Sequence, residues 1–242
     1  MTTADYVKGL SFRYTQPDQP SHKDYWIANS KDEWLDKELE NIELPLDNVE
    51  MKRRLRPLGF MPRMCTYANA AIINYGVSQL PEGQCYVNVG VWHGFSFLAG
   101  IVGNPDKLCI GVDDFSQLGG PQAEFMERFE GVRTKYHEFF LGDYVAYFSR
   151  VHSAPIGFYF YDGNHSYADQ INGLRLAEPY FADGCIVMVD DTNFDAPYQA
   201  TMDFLETTKN SYQILLDQKV YEEAGHPTFW NGLLILQKGG TA

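Results

Sequence analysis

Three aspartates follow two apolar runs in the second half of the chain and could serve one reaction. Asp162 follows the run IGFYFY, and Asp190 and Asp191 follow the run CIVMV. Carboxylate oxygens are the ligands that Mg²⁺, Ca²⁺ and Mn²⁺ prefer in proteins. A bound ion would lower the pKa of a coordinated hydroxyl and so ease the loss of its proton. The spacing supports equally a structural alternative, in which Asp190 and Asp191 only hydrogen-bond the loop that follows them.

A histidine stands in the loop after the first of these runs. His165 lies close to Asp162 in the segment DGNHSY. Histidine is the side chain that most often accepts a proton near neutral pH, so we interpret His165 as the candidate general base. A lone loop histidine more often makes only structural hydrogen bonds, and this alternative stays open. His93, in an earlier turn, is a weaker candidate of the same kind.

The turn that follows the run CYVNV constrains the kind of ligand. A dinucleotide-binding turn has the pattern G-x-G-x-x-G, whose second glycine lets the backbone approach a pyrophosphate. Counted from Gly90, the other two glycine positions hold Trp92 and Phe95, and the only further glycine is Gly94. The turn therefore favours an adenosine-type ligand without a diphosphate. Asp113, which ends the next apolar run, is placed to accept hydrogen bonds from ribose hydroxyls.

A parallel sheet would bring these residues together. From residue 85 onward, short apolar runs alternate with helix-length segments, which is typical of βα units in an α/β sheet covered by helices on both faces. The predicted strands are 85–91, 108–114, 136–142, 156–163 and 185–191. The predicted helices are 95–103, 121–135, 143–150, 167–182 and 196–209. In such a sheet, ligands bind beyond the carboxyl ends of the strands, where the candidate residues fall.

The two ends of the chain have a different character. Two apolar runs, 211–220 and 231–238, lack a helix between them and predict an antiparallel strand pair at the sheet edge. Residues 1–30 are polar and aperiodic, which indicates an extended arm or an irregular cap.

Helical signals follow this arm. Ser30 is placed to cap the next helix, and a further helix is predicted over 63–79. We therefore divide the chain into an N-terminal arm and helical cap, 1–80, and a second domain, 81–242.

The composition argues against several classes of function. The chain has 242 residues, of which 45% are apolar, and a net charge of −13. So acidic a surface repels nucleic acid and anionic lipid, and we expect neither as a partner. No apolar run is long enough to span a bilayer, and no secretory signal is apparent, so we expect a cytoplasmic protein. The four cysteines form no C-x-x-C pair, which favours buried, reduced thiols over a disulfide framework.

These segments together resemble the class I S-adenosylmethionine-dependent methyltransferases. The segments are VNVGVWHG (87–94), GVDDF (111–115), YDGNHSYADQINGLRLAEPYFADGCIVMVDDT (161–192) and the closing strand pair. The closest likeness is to small O-methyltransferases of the macrocin and novobiocin sugar-methylating kind, and to relatives with a D-G-D-H-S-Y loop. The resemblance implies a Rossmann-like, seven-stranded, mostly parallel sheet whose last strand is antiparallel.

The resemblance also implies roles for individual residues. The residues that it places on S-adenosylmethionine are Gly90, Val91, Gly94, Asp113, Asp143, Tyr144 and Asp162. The first three would face the methionine part, Asp113 would face the ribose, and Asp143 and Tyr144 would lie near the adenine. The metal-binding carboxylates of the sugar methyltransferases match Asp162, Asp190 and Asp191, for Mg²⁺ or another divalent cation.

Two positions depart from the family pattern. Asn88 stands where many members have Glu, and Asn164 stands where the sugar enzymes carry an acidic, base-like Asp. Without that acid, proton removal would fall to His165 or to the metal, or the substrate would differ. His165 and Asn164 are therefore the predicted catalytic positions.

The resulting hypothesis is methyl transfer from S-adenosylmethionine to a hydroxyl of a small molecule. The acceptor would be a sugar, a phenol or a diol, and a divalent metal would assist. The N-terminal cap would help to form the acceptor pocket. A protein of the same fold that binds the cofactor without transferring methyl is the first alternative, and an NAD-type oxidoreductase is a more distant second. A homo-oligomer is compatible with the sequence.

Overall fold

A computed structural model describes residues 1–13, 31–46, 48–220 and 226–240, with the backbone alone for 31–34 and 48. The predicted cap residue Ser30 lies outside the described residues. The N-terminal elements are α1 (Thr3–Lys8), β1 (Ser11–Phe12), α2 (Lys31–Asn41), β2 (Ile42–Glu43), α3 (Asn48–Leu55) and α4 (Tyr67–Ser78). The short strands β1 and β2 pair in antiparallel fashion, and a 3₁₀ turn, Arg56–Phe60, follows α3.

The remaining strands form one seven-stranded sheet. They are β3 (Cys85–Val89), β4 (Leu108–Asp113), β5 (His137–Leu141), β6 (Ile156–Tyr161), β7 (Phe181–Asp190), β8 (Tyr212–Gln218) and β9 (Leu233–Lys238). Their spatial order is β5-β4-β3-β6-β7-β9-β8. All pairs are parallel except those of β9, which is antiparallel to β7 and to β8. The predicted Rossmann-like sheet with an antiparallel last strand is confirmed.

Helices connect the strands and cover the sheet. They are α5 (Phe95–Ile101), α6 (Gln122–Val132), α7 (Tyr144–Arg150), α8 (Tyr167–Ala177) and α9 (Asp195–Thr207). Alternate strand residues point to opposite faces, so the sheet carries two apolar cores. Tyr86 and Phe160 belong to the core under α4, α5 and α6, whereas Val87 and Tyr159 belong to the core under α7, α8 and α9. Burial on both faces explains why these strands are apolar throughout.

The N-terminal cap and the sheet share the first of these cores, which contains Tyr6 and Leu58 together with Phe158. The boundary at residue 80 stays a prediction. All four cysteines are free and buried, as predicted. Among the described residues, no helix has the length and apolar character needed to cross a membrane.

The first residues are more regular than the predicted arm. The N–H of Asp5 donates to the Thr2 hydroxyl at 3.1 Å, and the N–H of Thr2 donates to the Asp5 carboxylate at 3.0 Å, which forms a capping box. In the same helix, Tyr6 stacks on Tyr75 of α4 with ring centroids 4.0 Å apart. The prediction of an irregular segment is therefore wrong for α1. So short a helix depends on packing of this kind, which its sequence does not reveal.

A second correction concerns the predicted helix 167–182. Helix α8 ends at Ala177, and a 3₁₀ turn containing Pro179 follows it. Proline has no N–H to continue the helical hydrogen bonds. Strand β7 consequently begins at Phe181, which pairs with Ile156, instead of at residue 185. The other predicted elements are present, with ends that differ by a few residues.

A buried histidine gives the fold a dependence on pH. His152 follows α7, and its Nδ1 atom lies 2.7 Å from the hydroxyl oxygen of Tyr147. Burial lowers the pKa of His152, more than a backbone hydrogen bond at Ala154 raises it. The unfolded chain binds a proton at this residue at about pH 6.5, and the folded chain binds it only at lower pH. The stability that neutral His152 contributes is thus present above about pH 6.5 and lost as the pH falls.

We expect the variant H152Q to lose less stability in mild acid than the unmodified chain does. Urea unfolding at about pH 7.5 and about pH 5.5 gives the free energy of unfolding of both proteins. The difference between the two pH values should be smaller for H152Q. An equal difference would show that His152 titrates normally in the folded state.

Candidate active site

A cleft opens where the strand order of the sheet reverses. The chain passes from β3 outward to β4 and β5, then returns to place β6 on the other side of β3. The carboxyl ends of β3 and β6 therefore border a crevice, the usual ligand site of such sheets. A cavity of about 600 Å³ occupies this crevice. The predicted site residues on its wall are Gly90, Val91, Asp113, Asp143, Tyr144, Asp162, Asn164 and His165.

Gly90 brings the ends of β3 and β6 into contact. Its φ of +82° lies in the left-handed region, and a β-carbon there would lie 1.9 Å from the carbonyl oxygen of Asp162. The N–H of Asp162 donates to Val89 O at 2.9 Å, which fixes the two strand ends together. Only glycine fits this turn without moving the backbone beside it.

Gly94 has a structural role in the same turn. It is not on the cavity wall, and it precedes the first residue of α5 with a φ of +102°. Its N–H donates to Val91 O at 2.6 Å, and a β-carbon would lie 2.8 Å from the Phe125 ring. Close packing against Phe125, together with the positive φ, is what requires glycine here.

Asp113 binds the glycine turn itself. Its Oδ2 atom accepts the N–H groups of Val91 at 2.8 Å and Trp92 at 2.9 Å, and its Oδ1 atom accepts that of Phe115 at 2.7 Å. A carboxylate offers about four lone-pair sites, so one acceptor position remains for a ligand hydroxyl. The predicted contact with a ribose stays a prediction. The structure adds that Asp113 holds the turn in shape.

The two aromatic residues of the turn line the cavity and leave it open. Trp92 has a φ of +47°, and its indole N–H donates to Leu118 O at 3.0 Å across the opening. The ring of Phe95 lies under the Arg63 guanidinium, whose central carbon atom is 5.2 Å from the ring centroid. Side chains therefore occupy the places that glycines keep free in a dinucleotide-binding turn.

The opposite part of the cavity has a polar wall. Asp143 accepts the N–H of Val145 and so caps α7. The Tyr144 hydroxyl donates to Asp169 Oδ1 at 3.1 Å, and the Ser166 hydroxyl donates to Asp169 Oδ2 at 2.8 Å. Burial, with the charge of Asp169, raises the pKa of Tyr144, which stays a hydrogen-bond donor at neutral pH.

His165 lies between two carboxylates at the end of β6. Its Nε2 atom is 3.3 Å from Asp191 Oδ2 and 3.7 Å from Asp162 Oδ1. The three side chains are 19–28% exposed, so solvent screens their charges only in part. The sequence separates Asp162 and Asp191 widely, and the neighbouring strands β6 and β7 bring them to one histidine.

The charges of this group shift its pKa values. Burial first, and then the charge of Asp191, raises the pKa of Asp162 to about 6, although the contact with His165 works against this rise. Burial alone would lower the pKa of His165, but its contact with Asp162 and the charges of Asp191 and Asp162 outweigh burial and raise it. Two carboxylates thus make this imidazole a stronger base than a free one.

Asp190 lies deeper than its neighbour. It is 1% exposed, its Oδ1 atom has no hydrogen-bond partner among the described residues, and burial raises its pKa. Neither Asp190 nor Asp191 is on the cavity wall.

Three carboxylates in this region have the chemistry that a hard divalent ion prefers. As placed, however, no three His, Cys, Asp or Glu side chains of the described residues could share an ion. The predicted metal site at Asp162, Asp190 and Asp191 therefore stays a prediction.

The two asparagines that depart from the family pattern serve the local backbone. Asn164 is exposed, and its Oδ1 atom accepts the N–H of Ser166 at 2.8 Å, just before α8. Asn88 is fully buried, and its amide donates to Gly90 O at 2.9 Å while accepting the Tyr86 hydroxyl at 3.0 Å. Asn164 is thus on the wall, but the bonds that it makes are those of a turn residue.

A third wall of the cavity was not predicted at the level of residues. Arg63, Met64 and Cys65 reach it from the N-terminal cap. Arg63 is held by Glu38 through two hydrogen bonds of 3.0 Å and 2.9 Å, and the Glu38 side chain is 1% exposed. A pair that joins Glu38 in α2 to Arg63 in an irregular segment 25 residues later leaves no periodic signal. The only available sign was a lone arginine among apolar neighbours in PRMC.

The strand order, the glycine turn and the cleft between β3 and β6 define a class of protein. The chain has the fold of the class I S-adenosylmethionine-dependent methyltransferases. Residues 87–192 match the model of a family described as a methyltransferase domain. The predicted fold is confirmed, and the predicted methyltransferase domain is matched over residues 87–192.

Solved structures with this fold include several O-methyltransferases. TomG from Streptomyces achromogenes, involved in tomaymycin synthesis and solved with S-adenosylmethionine, is 16% identical, with a TM-score of 0.56 over 91% of this chain and 96% of that one. An O-methyltransferase from Bacillus cereus, solved with S-adenosylhomocysteine, is 12% identical, with a TM-score of 0.55 over 90% and 97%. The O-methyltransferase NovP is 14% identical, with a TM-score of 0.53 over 72% and 80%. No curated protein matches the chain in sequence.

Proposed function

We propose that this protein transfers the methyl group of S-adenosylmethionine to a hydroxyl of a small molecule, such as a sugar, a phenol or a diol. One observation carries the proposal. A single open cavity of about 600 Å³ is lined both by the Gly90 turn with Asp113 and by His165 with Asp162. The first pair suits a nucleoside, and the second pair suits an acceptor that must lose a proton.

The cofactor would lie along the turn and the polar wall. The ribose would use the acceptor position that remains on Asp113, and the adenine would lie near Tyr144. The cavity wall in this part also contains Asp114, which the sequence did not single out. The acid-rich surroundings favour a ligand that carries a positive sulfonium.

The reaction itself needs alignment and the loss of one proton. The methyl group on a sulfonium is already activated, so the protein must chiefly hold the acceptor oxygen in line with it. Such alignment contributes roughly 7–11 kcal/mol to bimolecular reactions. His165 Nδ1 is enclosed without a partner among the described residues. Nε2 of the neutral ring carries its proton toward Asp191 and Asp162, so Nδ1 is the nitrogen with a free lone pair for the acceptor's proton, and the two carboxylates would stabilise the resulting imidazolium.

Cofactor selection is tested first. We expect calorimetry to show binding of S-adenosylhomocysteine and none of NAD⁺, and native mass spectrometry of the gently purified protein to show retained cofactor. Binding of NAD⁺ in place of S-adenosylhomocysteine would establish the oxidoreductase alternative. Cofactor binding without methylation of any acceptor in a broad panel of diols and phenols would establish the cofactor-binding protein instead.

Removal of the two aspartates at the end of β7 should abolish methyl transfer and preserve cofactor binding. We expect the double variant D190A/D191A to lose methyl transfer while its affinity for S-adenosylhomocysteine stays within a few fold. The lost groups lie behind His165 and off the cavity wall. The variant D106A/D217A removes two carboxyl groups from exposed positions and should stay active. Full activity of D190A/D191A would contradict the role of this cluster.

A divalent ion at Asp162, Asp190 and Asp191 is a separable part of the proposal, because these side chains would have to move together in order to share it. When bound, it would lower the pKa of the acceptor hydroxyl. Loss of transfer in EDTA and its return with Mg²⁺ would support this part. Full activity in EDTA would exclude the ion and leave His165 as the proton acceptor.

A further inference from the structure

The position of Asp191 depends on the loop that follows it. Asp191 is the first residue after β7, and its φ of +56° is unusual for a residue other than glycine. Its carbonyl oxygen accepts the N–H of Phe194 at 3.1 Å, so the loop turns back immediately. Such a backbone conformation persists only where the surroundings fix it.

Asn193, in the middle of this loop, provides the fixation. Its Nδ2 atom donates to Val220 O at 2.8 Å, its Oδ1 atom accepts the N–H of Val220 at 3.0 Å, and its own N–H donates to Asn231 O at 2.7 Å. The amide thus bonds both polar groups of one residue. A β-carbon on Gly232 would lie 2.6 Å from Asn193 Oδ1, so the amide has little room to shift.

The segment that receives the backbone hydrogen bond of Asn193, residues 226–232, is itself anchored. His226 and Trp230 exchange backbone hydrogen bonds of 3.3 Å and 3.1 Å. The Thr66 hydroxyl donates to Thr228 O, and Thr66 is the neighbour of Cys65 on the cavity wall. Segment 226–232 therefore connects the wall contributed by the N-terminal cap with the loop of Asp191.

We propose that Asn193 is a positioning residue for methyl transfer, which holds the Asp191 carboxylate against His165 through Val220 and Asn231. This inference rests on the proposed function, because it assigns Asp191 and His165 to the transfer reaction. Asn193 is not on the cavity wall, so it would contact neither the cofactor nor the acceptor. Its contribution is to keep Asp191 Oδ2 at its distance of 3.3 Å from His165 Nε2.

The variant N193A tests the inference. We expect kcat to fall about tenfold or more, since small misplacements in an active site have large effects on rate. The affinity for S-adenosylhomocysteine should stay within about threefold, because the cofactor wall is untouched. At one fixed pH, the imidazole NMR signal of His165, assigned with H165Q, should move in N193A as it moves in D191A. N193A should add little to D191A in the double variant.

The matched control is N104A. Asn104 is buried, and its amide likewise makes two hydrogen bonds to the backbone, in this case to the carbonyl oxygens of Asn74 at 3.2 Å and Gly100 at 2.8 Å. N104A should lose stability without moving the His165 signal or lowering kcat. If N193A does not fold, N193S, whose shorter side chain cannot reach both groups of Val220, replaces it.

An unmoved His165 signal, or equal effects of N193A and N104A, would overturn the inference. If the native chain methylates no acceptor, the proposed function fails. The NMR comparison would then still decide whether Asn193 fixes Asp191.

Discussion

The variant G90A is expected to lose cofactor binding. A β-carbon at residue 90 would lie 1.9 Å from the carbonyl oxygen of Asp162, and backbone atoms cannot yield as a flexible side chain can. The ends of β3 and β6 would have to separate. That movement would displace both the N–H groups held by Asp113 and the carboxylate of Asp162. We expect the affinity for S-adenosylhomocysteine to fall at least a hundredfold, about 2.7 kcal/mol or more.

The control for this variant is G83A. Gly83 has almost the same φ, +85°, and nothing lies within 4 Å of a β-carbon there. Both variants bear the cost of a left-handed alanine, about 1–2 kcal/mol, and only G90A adds the collision. Thermal unfolding would show whether each variant is folded, and calorimetry would show whether it binds. Normal binding by G90A would mean that the two strand ends separate freely.

The variant H165Q is expected to lose most of its transfer rate and to keep its cofactor. General bases contribute typically about 10²–10⁴-fold to rate, and we expect a decrease in kcat within that range. Glutamine keeps much of the size and polarity of the ring but cannot accept a proton at neutral pH. The affinity for S-adenosylhomocysteine should change by no more than about threefold, because the loss falls on the transition state.

H93Q provides the comparison. His93 stands in the glycine turn, where its Nδ1 atom lies 3.2 Å from Arg128 Nη1, and burial followed by the charge of Arg128 lowers its pKa. It has no carboxylate pair beside it, so H93Q should retain near-normal kcat. Equal activity of H165Q and the unmodified chain would show that the proton leaves by another route, and attention would pass to Asp162.

The sequence predicted the sheet and the position of the cleft because both depend on local patterns. Strands buried on both faces are apolar throughout, and the turns after them contain Gly90, Asp162 and Asp191. The carboxyl ends of parallel strands meet at one edge, so adjacency in the fold followed from the order of elements.

Details that depend on distance could not be predicted. Asp113 has the residue type expected for a ribose contact, yet its oxygens accept the N–H groups of Val91 and Trp92. Whether such bonds form depends on fractions of an ångström. The wall at Arg63 depends on Glu38, which lies in α2. The regular start of the chain depends on Tyr75. Each of these contacts joins residues far apart in the chain.

The hydrogen bond from Thr66 to Thr228 spans 162 positions of the chain and joins the first and last thirds of the molecule beside the cavity. One way to alter acceptor preference is to replace the first 80 residues with those of a relative. This replacement would break the bond, and the new segment would pack poorly against the rest of the chain. A chimera that also carries the matching segment 226–232 would preserve it. We therefore expect acceptor preference to depend on the first 80 residues and on segment 226–232 together.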